Sequence, residues 1–183
     1  MPVIQIVHKD SQSILYTHLG EGATLASALK QAASENVDLT GADLAEEDFA
    51  GCELAGVRLA GADLAGANLA GANLDRAFLV GVDLSEANLA GARLAEANLE
   101  SADLSEANLA GAVLEGTSLH AADLAEANLA GVNLRNANLR LADLSEANLA
   151  GADLTGAILT SADFDGANIR SACLENTQDP PST

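Results

Sequence analysis

A five-residue spacing of leucine dominates this sequence. From position 39 to position 174 every fifth residue is Leu, with three exceptions that are also large and apolar: Phe49, Phe164 and Ile169. A small residue, most often Ala, stands two places before nearly all of these positions, and Glu47 and Thr117 are the polar exceptions. The segment ADLSEANLAGA at 102–112 also returns unchanged at 142–152. The chain therefore has two nested periods, one of five residues and one of 20.

This spacing excludes both a single helix and a single long strand. A helix turns by about 100° per residue, so leucines five residues apart would spiral around its axis and form no apolar face. In a flat strand the side chains alternate with a period of two, so an odd step would send successive leucines to opposite faces. The backbone must bend repeatedly to bring them to one side.

A bend of about a quarter turn after every five residues satisfies both periods. Four pentapeptides then close one square coil, and each Leu points inward together with the small residue two before it. Coils stack through backbone hydrogen bonds at roughly 4.8 Å per layer, the ordinary spacing of β-strands. The 28 positions of the series predict an all-β solenoid, a quadrilateral β-helix of about seven coils.

The segment ADLAGANLAGANL at 62–74 and its many relatives resemble the A(D/N)LxG motif of the pentapeptide repeat protein family. The resemblance covers about residues 37–176. It implies that the β-helix is right-handed, a property that the spacing alone does not give. It also implies dimerisation through the C-terminal coils, as in some members of the family, which here would cover Ile169 and Leu174.

Residues 1–36 lie outside the repeat and predict a β-hairpin followed by a short α-helix. VIQIVH at 3–8 and ILYTHL at 14–19 are rich in residues that favour strands, and Thr24 is a suitable N-cap for a helix through LASALKQAAS. We expect this segment to cap the first coil; the alternative is a module that docks a partner. The repeat domain is expected to span 37–176, and residues 177–183 to form a disordered tail.

The formal net charge of −19 limits the partners that this chain can bind directly. Nucleic acids and anionic membrane surfaces would repel it over a Debye length of about 8 Å. We therefore expect neither as a partner and favour a protein with a basic surface. The sequence has no stretch resembling a signal peptide, no run of 18 apolar residues and only two cysteines, so a cytoplasmic location is expected.

Residues 20 apart lie above one another in such a solenoid, so each side of it can be read as a column. One side, called here the acidic wall, carries Asp before each core residue and Glu along its edge, and it has no Lys or Arg. Its candidate binding residues are Asp43, Asp63, Asp83, Glu86, Asp103, Glu106, Asp123, Glu126, Asp143, Glu146 and Asp163, with Glu46 in the same Glu column. The next side, called the Asn wall, carries Asp48, Asn68, Asn88, Asn108, Asn128, Asn148 and Asn168 among Ala and Gly.

Three explanations of the acidic wall are open at this point. Asp and Asn both bond well to neighbouring backbone, so turn formation accounts for the residue class but not for the segregation of Asp from Asn. Duplication of a 20-residue unit would copy both columns without any selected role. A binding role is the third explanation, because adjacent carboxylates roughly 5 Å apart repel each other by up to about 1 kcal/mol in water.

No catalytic or cofactor-binding arrangement is predicted. His8, His18 and His120 are scattered, and the outward serines have no neighbouring column of His. We therefore expect no enzyme activity and no cofactor. A straight ladder of carboxylates offers few ligands that converge on one point, so weak condensation of Ca²⁺ or Mg²⁺ is expected and no specific metal site.

The leading functional hypothesis is a non-enzymatic, rigid protein-interaction scaffold. The resemblance implies an alternative, because some pentapeptide repeat proteins mimic a DNA duplex in size and charge, bind a type II topoisomerase, DNA gyrase, and inhibit or protect it. The net charge fits that alternative, and Asp83, Asp103, Asp123 and Asp143 are the residues to test. The low Phe content and the absence of a loop between coils depart from those members. A third hypothesis is a consensus or engineered repeat without an evolved partner.

Overall fold

The computed structural model describes residues 2–181. Its regular elements all lie near the N-terminus: strand β1 (Val3–Val7), strand β2 (Ile14–Leu19) and helix α1 (Leu25–Ser34). From Asp38 onward, parallel β-bridges join residues that are 20 apart, the last of them between Ile158 and Gln178. The repeat is therefore a β-helix type solenoid. Met1 of the predicted N-terminal segment and residues 182–183 of the predicted tail lie outside the described residues.

Backbone hydrogen bonds hold each layer to the next with a constant offset. The Leu104 N–H donates to the Asp123 carbonyl at 2.7 Å, and the Asp103 N–H donates in the other direction, to the Val82 carbonyl at 2.9 Å. At each corner the Leu carbonyl accepts the N–H of the residue three places on, as from Ala112 to Leu109 at 3.0 Å. The residue before that donor has a positive φ, which type II turns require.

The core is a column of leucines flanked by small residues. From Leu39 to Leu159 the large inward side chains are only 0–2% exposed. Thr117 is a buried polar residue at an inward position, and its hydroxyl donates to the Leu94 carbonyl at 2.7 Å, so its burial leaves no donor unpaired. Glu47, the other polar residue at such a position, is exposed. The five-residue spacing thus becomes one continuous dry core.

The N-terminal hairpin and helix pack onto the first coil. β1 and β2 are antiparallel, and His8 continues β1 into an antiparallel bridge with Ala42. The Asp43 N–H donates to the Val7 carbonyl and the Lys9 N–H to the Gly41 carbonyl, both at 2.8 Å. Thr24 caps α1, as the sequence predicts, through a capping box with Ser27. The buried residues of this segment join the leucine core without a break: Ile6, Ala28, Leu29 and Ala32.

The C-terminal end of the core is less completely covered. Phe164, Ile169 and Leu174 are partly exposed, unlike their equivalents in the coils below. The ladder continues to Gln178, and the Thr160 hydroxyl donates to Asp179 Oδ2 at 2.7 Å. Large apolar side chains therefore reach solvent at this end of the solenoid.

The leucine column predicts a position-dependent effect of truncation. Leu109 is fully buried in the middle of the solenoid, so Leu109→Ala should lower the free energy of unfolding by about 2–5 kcal/mol, the cost of a core cavity. Leu174→Ala is the matched control at the exposed end, and it should cost less than half as much. Urea unfolding followed by circular dichroism measures both; equal losses would contradict a core that weakens toward the C-terminus.

Truncation of Leu141 should stabilise the protein, in contrast to truncation of Leu109. It is 51% exposed and has a φ of 61°, a left-handed conformation that is strained for a bulky side chain. Leu141→Gly should therefore raise the free energy of unfolding by about 0.5–1 kcal/mol, the strain released less the flexibility gained. Val80→Gly is the control, because Val80 is also exposed but has no positive φ, and it should destabilise the chain. A loss of stability in Leu141→Gly would show that its side chain makes a compensating contact.

Candidate functional site

The acidic wall is a single ladder of aspartates. Each of its seven Asp residues forms a parallel bridge with the next, so that Asp103, for example, lies between Asp83 and Asp123. Three residues after five of these aspartates comes an exposed glutamate: Glu46, Glu86, Glu106, Glu126 and Glu146. The geometry therefore brings together in one column the residues that the sequence placed on one side.

The aspartates stabilise the corner that follows each of them. Oδ1 of six of them accepts the backbone N–H two residues on, at 2.8–3.1 Å. Asparagines of the Asn wall make the same bond at 3.2–3.3 Å, and Asn73, Asn98 and Asn133 on other sides at 3.1 Å. Hydrogen bonds to an ionised acceptor are shorter and stronger, which offsets part of the repulsion between layers.

The two walls differ in what the rest of the side chain does. On the Asn wall each Nδ2 donates to Oδ1 of the residue one layer below, at 3.0–3.2 Å between asparagines. This continuous chain of amides satisfies both ends of the side chain within the protein. Carboxylates have no donor to offer, so the aspartates form no such chain. Within residues 2–181, Oδ2 of the acidic-wall aspartates accepts no hydrogen bond from the protein and is free for a partner.

Serine hydroxyls reinforce the aspartates in some layers. The Ser85 hydroxyl donates to Asp83 Oδ1 at 2.7 Å, and the Ser105 hydroxyl to Asp103 Oδ1 at 2.6 Å. The hydrogen bond from the Ser145 hydroxyl is the main cause that lowers the pKa of Asp143, and the bond from the Ser145 backbone N–H lowers it further. These bonds occupy the serines as donors, which fits a structural role for Ser and not a nucleophilic one.

Four of the six arginines of the repeat form ion pairs with carboxylates on the other sides of the solenoid. Arg58 pairs with Asp38, Arg76 with Glu96, Arg93 with Asp75 and Arg135 with Asp153. None of the ion pairs within residues 2–181 includes a residue of the acidic wall. Within residues 2–181 the acidic wall thus lacks the arginine pairs that offset part of the charge on other sides. These pairs were not predicted, although partners 18 or 20 residues apart are visible in the sequence once the period is known.

The glutamates of the acidic wall occupy a strained backbone position. Their φ angles are 57–60°, in the left-handed region. Gly66 holds the same place in the column at no steric cost, and the missing side chain leaves an open groove of about 180 Å³ between Glu46 and Glu86. Five glutamates therefore occupy positions where Gly would have no backbone strain. Each of them adds negative charge beside the Asp ladder.

The other surface features of the described residues are an open groove and unpatterned side chains. A larger open groove, of about 600 Å³, lies on another side and is lined by two of the ion pairs, Arg76 with Glu96 and Arg93 with Asp75. In the part of the chain that the structure describes, no group of three or more His, Cys, Asp or Glu residues is arranged to hold a metal ion. Among the same residues, no helix has the length and hydrophobicity needed to cross a membrane.

Comparison with solved structures finds repeats of the same kind. A pentapeptide repeat protein from the thylakoid lumen of Arabidopsis thaliana is 35% identical over 57% of this chain and 70% of its own, with a TM-score of 0.52. A pentapeptide repeat protein, Rfr23, from the cyanobacterium Cyanothece 51142 is 33% identical over 74% of this chain and 83% of its own, with a TM-score of 0.33. Full-length QnrB1, a plasmid-mediated fluoroquinolone resistance protein, is 20% identical over 72% and 78%, with a TM-score of 0.40.

No curated protein matches the chain significantly. The family model described as pentapeptide repeats matches residues 35–69, 62–100, 97–140 and 142–177, which together are most of the sequence. This agrees with the five-residue period, the 20-residue ladder and the leucine core described above. The chain belongs to the pentapeptide repeat family.

Proposed function

We propose that this chain is a non-enzymatic, rigid scaffold whose acidic wall docks against a basic surface of a partner protein. The observation that supports this function is the contrast between the walls: arginines pair with carboxylates on other sides, whereas the ladder from Asp43 to Asp163 has no cationic partner within residues 2–181. A surface that keeps unpaired charge at a constant spacing is suited to a partner that supplies the opposite charge.

We further propose the finer architecture that this role requires. The β-helix is right-handed with about seven coils over residues 37–176, and residues 1–36 cap its first coil. The hydrogen bonds of Val7 and Lys9 to residues 41–43 support the cap. Cys52 and Cys173 are free thiols that form no disulfide, which is typical of proteins in the reducing cytoplasm.

A second copy is the partner we propose for the C-terminal end. Phe164, Ile169 and Leu174 reach solvent there, and an isologous contact between two C-terminal coils would bury them. Dimerisation of this kind would double the length of the rod and leave both acidic walls free.

DNA gyrase is a second candidate partner because of the linear charge density of the acidic wall. Most layers carry one Asp and one Glu, so a layer spacing of roughly 4.8 Å gives one negative charge per roughly 2.4 Å of axis. DNA carries one per about 3.4 Å along a strand and about 1.7 Å for the duplex. An enzyme surface that binds DNA would therefore meet a comparable density of charge.

The acidic wall predicts site-specific binding of a basic probe. In the wall variant, Asp83, Asp103, Asp123 and Asp143 are changed to Asn, which preserves the bond to the backbone as the Asn wall shows. A peptide with Lys at alternate positions should bind it at least tenfold more weakly than the unaltered protein in isothermal titration calorimetry at about 0.15 M salt, because four carboxylates are lost from one face.

The control variant removes the same charge elsewhere, by changing Glu21, Glu53, Glu115 and Glu175 to Gln. It should bind the peptide within about twofold of the unaltered protein, because net charge alone acts weakly beyond a Debye length of about 8 Å. Urea unfolding should show that the wall variant is at least as stable as the unaltered protein. Equal weakening in both variants would mean that net charge, and not the acidic wall, attracts the peptide.

The gyrase candidate predicts an effect on DNA supercoiling. At micromolar concentration the unaltered protein should change the rate of supercoiling by gyrase or its sensitivity to a quinolone, and the wall variant should not. If the unaltered protein, the wall variant and the control variant all have no effect, gyrase is excluded as the partner. That outcome would not contradict binding of the basic peptide to the acidic wall.

A further inference from the structure

The structure assigns a self-association surface to the free edge of β2. We propose that a second copy of this chain adds to β2 through antiparallel pairing, so that the two hairpins form one four-stranded sheet around a twofold axis. This surface lies at the opposite end of the chain from the C-terminal coils and does not depend on the function of the acidic wall.

The hairpin can grow only on its β2 side. The outer edge of β1 is already engaged near its end, where Val7 and Lys9 bond to residues 41–43 and His8 bridges to Ala42. The register shift between Ile6 and Val7 leaves Leu15, near the start of β2, without a partner on β1. Beyond the β1–β2 pair, the backbone of Ile14–Leu19 makes no hydrogen bond to any other part of residues 2–181. Half of its polar backbone groups therefore point toward an unoccupied edge.

Apart from the irregularity at Leu15, this edge lacks the features that normally prevent strands from pairing between molecules. Natural edge strands carry Lys, Pro, bulges or inward charges, or are very short. β2 has the sequence ILYTHL, which is six residues of high strand propensity with no Pro and no Lys, Arg, Asp or Glu. Its register opposite Ile4–Ile6 is regular, so the strand is well formed for addition of another.

Apolar exposure concentrates beside this edge. Val3, Ile14 and Leu19 are 55%, 55% and 62% exposed, and Val3 lies directly opposite Leu19. The other exposed large apolar residues of the described chain, Phe78, Val80 and Leu141, are spread along the solenoid. Antiparallel pairing of two β2 strands around Thr17 would bring Leu19 of one copy next to Leu15 of the other, the residue at the register shift, and shield Leu19 from water.

The distribution of charge selects a second copy as the occupant. Residues 2–19 contain one Lys and one Asp, whereas a net charge of −18 lies in residues 37–183. The hairpin is thus the neutral part of a strongly acidic chain, and two hairpins can meet without opposing like charges. A basic peptide would find no carboxylate on β2 to recognise. Pairing of β2 with itself is isologous, so it closes at two copies on this edge.

Sedimentation equilibrium in about 0.15–0.5 M salt tests this surface on the full chain with Leu174→Lys, which disrupts the contact proposed at the C-terminal end so that only the β2 contact is measured. We expect a monomer–dimer equilibrium with a dissociation constant at or below about 100 µM, and tighter association at the higher salt because the repulsion between the acidic bodies is screened. Thr17→Lys, which places a charge at the centre of the exposed edge, should weaken the dimer at least tenfold. Gln5→Lys is the matched control: Gln5 is exposed and pairs with Thr17 on the inner strand, so its effect should stay within about threefold.

A cross-link distinguishes this surface from the C-terminal end even if Thr17→Lys weakens the hairpin. With Cys52 and Cys173 changed to Ser, Thr17→Cys should form a disulfide-linked dimer under mild oxidation, and Gln5→Cys should not. Leu174→Lys should leave the dimer intact. A monomer at every concentration, a dimer lost only in Leu174→Lys, or equal cross-linking through Thr17→Cys and Gln5→Cys would each overturn the proposal.

Discussion

The backbone hydrogen bonds between residues 20 apart are the constraint on which the rest of this structure depends. Each layer donates to and accepts from its neighbours, so the register is the same from Asp38 to Gln178. A one-residue slip would turn every Leu outward, because the inward positions are fixed by the corners. Burial of the leucines and the hydrogen bonds between layers therefore stabilise the same register. For this reason the inward positions are almost all Leu or a small residue.

This constant register stacks each outward position into a column, and on two sides of the solenoid the column is almost entirely Asp or Asn. Where the column is Asn, the side chains bond to one another from layer to layer and leave little for a partner. Where it is Asp, one oxygen secures the corner and the other remains free, and no Arg neutralises the ladder. The cost of stacking like charges is partly offset by short bonds to the backbone, so an acidic wall is compatible with a stable solenoid.

The two ends of the solenoid differ in how their terminal coil is covered. At the N-terminal end, the continuation of β1 pairs with Gly41–Asp43, and α1 adds its apolar side to the same core. That pairing moves the open edge outward, from the first coil to β2. At the C-terminal end, Ile169 and Leu174 are partly exposed. Contacts between molecules are therefore expected at the ends, whereas the sides of the rod carry the charge that keeps copies apart.

The sequence by itself determined the repeat and the composition of its walls. The five-residue spacing leaves few backbone paths, and a period of 20 places Asp43 and Asp63 in one column before any coordinates are known. The same period would have revealed the ion pairs of Arg76 and Arg93, had carboxylates 18 or 20 residues away been sought. Only the tertiary structure decided which oxygen of each Asp is free, that Leu141 and the wall glutamates have left-handed backbones, and that β2 is the exposed edge. Periodicity specifies which residues are neighbours, but distances, dihedral angles and edge contacts depend on how the backbone closes each corner and docks the hairpin.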